Sequence, residues 1–143
     1  MRGAINGCRD TAPVGISSNQ HLEESLADFT KLDVWQVAHS FALSAYRLTS
    51  KFPADERFGL TGQIRRAAVS IGANIAEGCG RFHKGDQARF LQMAKGSAKE
   101  TRSHLMIARD LGFMPVQEQQ AADVQLERLE RMLSSLIRTS RSS

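Results

Sequence analysis

The chain predicts an all-α protein, an antiparallel up-down four-helix bundle, and three observations carry that reading. Apolar residues recur at alternating steps of three and four in four separate segments, the periodicity of a helix with one buried face. The breaks between those segments carry glycine or proline, which interrupt helices. No run alternates with a period of two, and the β-branched residues are scattered, so no strand is expected. At 143 residues and 41% hydrophobic content, the chain can bury one modest core. The expected organisation is a leader over residues 1–28, a bundle over 29–138 and a frayed tail over 139–143.

Residues Met1 to Asp28 mix small and polar residues with few large apolar groups. Such a segment cannot bury enough surface to offset the entropy of ordering, so a disordered leader is expected. Leu22 and Leu26, four apart, allow a short helix over His21 to Ala27, supported by a single apolar pair. The first bundle helix is expected from Leu32 to Lys51, with Thr30 as N-cap, Asp33 in the first turn and Phe29 placed to staple against Val34. Its seam is Val34, Ala38, Phe41, Ala45 and Leu48, widened by Trp35, Val37 and Ala42, and Pro53 stops it.

The second helix begins between Asp55 and Thr61 and runs to Glu77. Gly78 and Gly80 are expected to supply the left-handed geometry that ends it. Gly72 inside this helix costs about 1 kcal/mol relative to alanine, which suggests a bend or a close approach by a neighbouring backbone. Asp86 is the expected cap of the third helix, whose seam is Leu91, Ala94, Ala98, Thr101, Leu105 and Ala108, with Leu111-Gly112 as its stop. Pro115 suits the first turn of the fourth helix, which carries Ala122, Leu126, Leu129, Leu133 and Leu136. Short connections between such helices imply a bundle with crossing angles of about 20°. The many alanines in the seams bury little area each, so further burial through self-association is expected.

Several function classes are disfavoured. A formal charge of +4 permits a polyanionic partner without requiring one. Cys8 and Cys79 lie far apart in different settings, which is no disulfide framework and suits a reducing cytoplasm. No apolar segment resembles a signal peptide or a membrane span, so a cytoplasmic protein with no membrane contact is expected. A di-iron bundle needs Glu-x-x-His pairs, and no glutamate here is followed by histidine three residues later. Glu100 and His104, four apart, read as a solvated contact, and Cys79 with His83 supplies two metal ligands without a second pair. Gly78-Cys79-Gly80 reads as a helix stop and not as a phosphate loop, since it follows no strand. No nucleophile, base and orienting acid can be assembled. The expectation is therefore no enzyme, no cofactor and no metal.

Two sets of polar residues remain. Gln63, Ser70, Asn74 and Glu77 form a polar stripe beside the apolar seam of Leu60, Ile64, Ala67 and Ile71. Such groups can satisfy one another and fix register and partner number, and Arg66, four residues before Ser70, can pair with a carboxylate across helices or subunits. The second set is basic: Lys95, Lys99, Arg102 and Arg109 line one stripe of the third helix, and Arg81, Lys84 and Arg89 lie at its beginning. Taken alone, this set is equally a track for phosphates and a solvated face flanking the seam.

From Leu32 to about Leu111 the chain resembles the four-helix-bundle family first noted as open reading frames in intervening sequences of bacterial large-subunit ribosomal RNA genes. The residues that carry the resemblance are Val34-Trp35, Tyr46, Phe52-Pro53, Glu56, Gly59-Leu60, the run Gln63 to Ile71, Asn74 to Gly78, Phe90-Leu91 and Gly96-Ser97, followed by Glu100. The family is also similar to the accessory protein of diversity-generating retroelements, a basic bundle that forms a ring of five and works with a reverse transcriptase and nucleic acid. Gly72 stands where the family commonly has proline, and His83 and Gly85 stand where it tends to show a serine cap and a charged residue. The resemblance implies a homo-oligomer, a pentameric ring, with RNA or DNA and a reverse transcriptase or other protein as partners. It also favours reading Gly96, Ser103 and Glu100, opposite the seam of the third helix, as a second packing surface. The expected function is a non-enzymatic oligomer that binds nucleic acid, RNA more than DNA, with low sequence preference because few aromatics are present for stacking. The alternative is an oligomeric scaffold or adaptor for protein partners.

Overall fold

A computed structural model describes residues 28–142. The leader, the helix expected within it at 21–27, and Cys8 lie outside the described residues. Four helices account for most of the rest: α1 (Asp33–Thr49), α2 (Leu60–Cys79), α3 (Lys84–Asp110) and α4 (Val116–Ser142). Short 3-10 turns at Phe29–Lys31 and Ala54–Glu56 precede α1 and α2. Among the described residues there is no strand, and no helix is long and apolar enough to cross a membrane.

The seams read from the sequence form the core. Val34, Ala38, Phe41 and Ala45 of α1, Leu60, Ile64, Ala67 and Ile71 of α2, Leu91, Ala94, Ala98, Leu105 and Ala108 of α3, and Leu126, Leu129 and Leu133 of α4 are all buried, and Ile75, which the seam of α2 did not include, is buried with them. Consecutive helices run antiparallel, as paired contacts show once Gly72 of α2 against Trp35 of α1 and Gly78 of α2 against Phe90 of α3 are set beside them. Arg65 of α2 donates from Nε to Thr49 Oγ1 of α1 at 2.8 Å, Ser70 of α2 meets Ser97 of α3 at 2.9 Å, and Lys99 and Arg109 of α3 meet Glu130 and Gln119 of α4. At the end of α1 the expected Leu48 packs half-buried against the core, and Thr49 is buried beside it, bonding the carbonyl of Ala45 at 2.8 Å while receiving Arg65.

Several expected helix ends are built differently. Thr30 does not cap α1; it bonds Asp28 within the 3-10 turn, and Leu32 takes the cap position without a side-chain bond. Phe29 packs edge-on to Trp35, with ring centroids 5.2 Å apart, and lies against the core. α2 starts at Leu60, whose amide donates to Glu56 Oε1 at 3.0 Å. A Cβ at Gly59 would lie 2.8 Å from that oxygen, which explains Glu56 and Gly59 together. Asp86 lies inside the first turn of α3, and His83 takes the cap position. α4 continues through the tail expected to fray, because Ile137 and Ser140 are buried.

The glycines also divide by role. Gly80 ends α2 with φ −84°, so the expected left-handed stop is absent there. Gly78 is instead a point of close approach: a Cβ there would lie 3.1 Å from Phe90 Cβ and 3.3 Å from the Gln87 carbonyl of α3. Gly72 sits in an unbroken helix beneath Trp35, where a Cβ would make ordinary contact at 3.5 Å. The left-handed stop falls at Gly112, φ +79°. Phe113 N donates to Ala108 O at 2.9 Å and Gly112 N to Arg109 O at 3.0 Å, the paired bonds of a Schellman motif.

Arg102 of α3 meets three carboxylates of α4. Arg102 donates from Nε to Asp123 Oδ1 at 2.7 Å, from Nη1 to Glu130 Oε2 at 2.7 Å, and from Nη2 to Asp123 Oδ2 and Glu127 Oε1 at 3.2 and 3.3 Å. Lys99 Nζ holds the other Glu130 oxygen at 2.7 Å. Burial works against charge on Glu130, but bonds from Lys99 and then Arg102 outweigh it and hold its carboxyl below the ordinary range. The Arg102 guanidinium is held above its own ordinary range, first by Asp123 and then by Glu130.

Two predictions follow from this packing. Gly78→Val is expected to destabilise the fold by about 2 kcal/mol through overpacking against α3, whereas Gly72→Ala is expected to stabilise it by about 0.5–1 kcal/mol; urea unfolding of both variants gives the signs. The lowered Glu130 group contributes stability above its unfolded value of about pH 4.3, and that contribution is lost as pH falls through the folded value. Arg102→Met should therefore cost about 2 kcal/mol at pH 7, between exposed and buried pairs. That cost should shrink toward pH 3 as the orphaned carboxylates protonate, and a pH-independent cost would contradict the assignment.

Candidate nucleic-acid interface

The basic and polar residues singled out from the sequence fall into three environments. Lys99 and Arg102 sit between α3 and α4 with their charge directed at Glu130, Asp123 and Glu127. Arg102 keeps 24% of its side chain exposed. Arg109 is likewise engaged, donating from Nε to Asp110 at 2.8 Å and from Nη1 to the buried Gln119 at 3.1 Å. This part of the stripe is thus engaged by polar groups of α4 and by Asp110, with Lys99 keeping 65% of its side chain exposed. It flanks the α3 seam by one residue, which turns it toward the acidic face of α4. Lys95, one turn before Lys99, lines a cleft between the two helices.

The second environment is the connection from α2 to α3. Arg81 pairs with Glu77 across one helical turn, and its backbone carbonyl accepts from Gln87 Nε2 at 2.7 Å, which ties the connection to α3. Arg81 and Arg89 lie over the ring of Phe90, with guanidinium carbons 4.7 and 4.8 Å from its centroid. Phe82, between Arg81 and His83, is 99% exposed, and Lys84 is exposed beside it. Sequence reasoning listed the cations here and passed over the phenylalanine. The available signal was a large aromatic placed in an otherwise polar connection, where no seam could bury it.

The third environment is the polar stripe of α2. Asn74 donates from Nδ2 to the carbonyl and the hydroxyl of Ser70, each at 3.0 Å, and Ser70 meets Ser97 of α3. Glu77 turns outward to Arg81 and takes no part in that cluster. Gln63 and Arg66 are exposed. Gly96 and Glu100 are exposed on the outer face of α3, and a Cβ at Gly96 would meet nothing within 4 Å. Glu100 meets His104 Nε2 of its own helix at 3.2 Å.

Met93, Ile107 and Leu111 share this outer face, at 46%, 47% and 59% exposure. With Gly96, Glu100 and Ser103 they run at steps of three and four, a second seam on the side of α3 away from the core. Sequence reasoning found its small members and missed its large ones, because the stronger seam of the core absorbs the same periodic signal. Among the described residues no three His, Cys, Asp or Glu side chains come together as a metal-binding group. Burial pushes the Cys79 thiol up to about 12, so it is not a thiolate nucleophile at neutral pH.

Comparison with known proteins accords with the four-helix fold. No match is found among curated proteins. The crystal structure of a protein of unknown function from the S23 ribosomal protein family of Bacteroides thetaiotaomicron superposes with a TM-score of 0.69 at 24% identity, covering 73% of this chain and 95% of that one. At that identity the likeness speaks to the fold alone. At the sequence level, residues 30–135 match the 23S rRNA-intervening sequence protein family. That match spans most of the chain and all four helices, and the chain belongs to the 23S rRNA-intervening sequence protein family.

Proposed function

We propose that this chain is a non-enzymatic protein that binds single-stranded nucleic acid with little base preference, at the end of the bundle where α2 meets α3. The observation that carries the reading is Phe82, 99% exposed, with Arg81 and Lys84 close to it in sequence and Arg89 sharing the Phe90 ring with Arg81. An aromatic face stacks on any base, and adjacent cations hold the phosphates on either side of it. The ion pairs of Lys99, Arg102 and Arg109, and that of Arg81 with Glu77, leave Lys84 and Arg89 at this end, and Lys95 further along α3, as the members of the basic set without a carboxylate partner among the described residues. RNA is preferred to DNA on the family resemblance alone.

The outer face of α3 supports a second element of the reading, self-association. Met93, Ile107 and Leu111 expose apolar area around the bare backbone of Gly96. A second copy that covers this face would bury them and allow close helix approach. The ring of five is the assembly implied by the resemblance, and it would bring the basic ends of several copies into one field. An adaptor without nucleic-acid binding would use the same face.

Titration of a fluorescent poly-uridine oligonucleotide at several salt concentrations tests the first element. Affinity should fall steeply with salt, and Phe82→Ala should weaken it about tenfold at fixed salt, in keeping with one stacked base. Lys84→Glu and Arg89→Glu should flatten the salt slope, while Lys99→Gln leaves it nearly unchanged; equal effects from all three would return the site to the α3 stripe. Light scattering tests the second element. The native chain should be oligomeric and Ile107→Glu should shift it toward monomer, whereas a monomeric native chain would remove the assembly.

A further inference from the structure

The α3–α4 junction is a ladder of opposite charges that runs out before its end. The register that sets Arg102 beside Glu127 and Lys99 beside Glu130 sets Lys95 beside Ser134, where no carboxylate follows. At this point the helices leave a cleft of about 400 Å³, open to solvent and lined by Lys95, Glu130, Arg131, Ser134, Ser135 and Arg138. Both oxygens of Glu130 already accept, one from Lys99 and one from Arg102. Arg131 reaches only Glu127, at 4.0 Å. Among the described residues no carboxylate pairs with Lys95, and the Ser134 and Ser135 hydroxyls have no hydrogen-bond partner. The cleft is therefore net positive, with donors converging on it from two helices.

We infer that this cleft binds a phosphoryl group. A carboxylate is planar and is satisfied by one bidentate guanidinium, whereas a tetrahedral oxyanion needs donors from several directions. Lys95 supplies a point charge from α3, and Arg131, Ser134 and Ser135 supply charge and hydroxyls from successive turns of α4. The volume is at the lower end of small-molecule sites, so it admits inorganic phosphate or a small phosphate monoester. It also admits the terminal phosphate of an oligonucleotide. The cleft lies roughly 16 Å along α3 from Lys84, away from Phe82, so the inference does not depend on the stacking reading.

Isothermal titration of the full chain with inorganic phosphate, uridine 5′-monophosphate and uridine, at constant chloride, tests it. The two phosphates should bind saturably, one per chain, and uridine should not. Lys95→Gln and Ser134→Ala should each weaken phosphate binding, the first about tenfold, as loss of a charge-assisted bond predicts. Phe82→Ala should leave it unchanged. Circular dichroism melts check that each variant folds, and Ser134→Ala stands as the readout should Lys95→Gln fail to fold. A gain in affinity for a 5′-phosphorylated over a 5′-hydroxyl oligonucleotide, lost in Ser134→Ala, would identify a nucleic-acid end as the source; equal affinity alongside phosphate binding would identify a free ester, and both support the site. Absence of saturable phosphate binding, or binding indifferent to both cleft variants, would overturn it.

Discussion

Arg102 decides more about this bundle than its single charge suggests. Its guanidinium meets three carboxylates of α4, and like charges so close together would repel without a cation among them. The bond pattern has one register that works: Asp123, Glu127 and Glu130 occupy one face of α4 at helical steps, so sliding α4 by one residue would rotate them off Arg102. Close pairing of this kind specifies arrangement more than it adds stability. It also removes positive charge from the flank of α3, with the consequence that accessible basic groups lie at the α2–α3 connection and in the cleft beside Lys95.

Small residues set the other dimension of the fold. Gly78 lets α3 approach to within side-chain contact, and Ser70 and Ser97 satisfy one another across the same pair of helices. Alanine seams allow this proximity but bury limited area per residue. The outer face of α3 then carries Met93, Ile107 and Leu111 at the surface. Such exposure is ordinary for single residues, but a periodic row on one helix is the kind of apolar surface that another chain covers.

Much of the fold was legible because helix periodicity is a local property. The seam positions read in all four helices pack in or against the core, though the reading left out Ile75, Ala68 and Thr49, and the Leu111-Gly112 stop fell where the sequence placed it. Helix ends were less legible, since a cap depends on geometry that several neighbouring residues can supply. Glu56 caps α2 from four residues away, while Thr30 and Asp86, the conventional candidates, do other work. The candidate site was half legible. Its cations were all named, but a stripe of lysine and arginine looks the same in sequence whether it faces water, a phosphate or an acidic neighbour.

By itself, then, the sequence determined the four helices, their buried faces and the family, because each rests on spacing along the chain. Which charges are neutralised was decided by tertiary structure alone, since Arg102 and its partners are separated by more than twenty residues and meet only through the register of α3 on α4. The same is true of Phe82. Its type is written in the sequence, but its full exposure depends on two helices meeting behind it and leaving nothing in front.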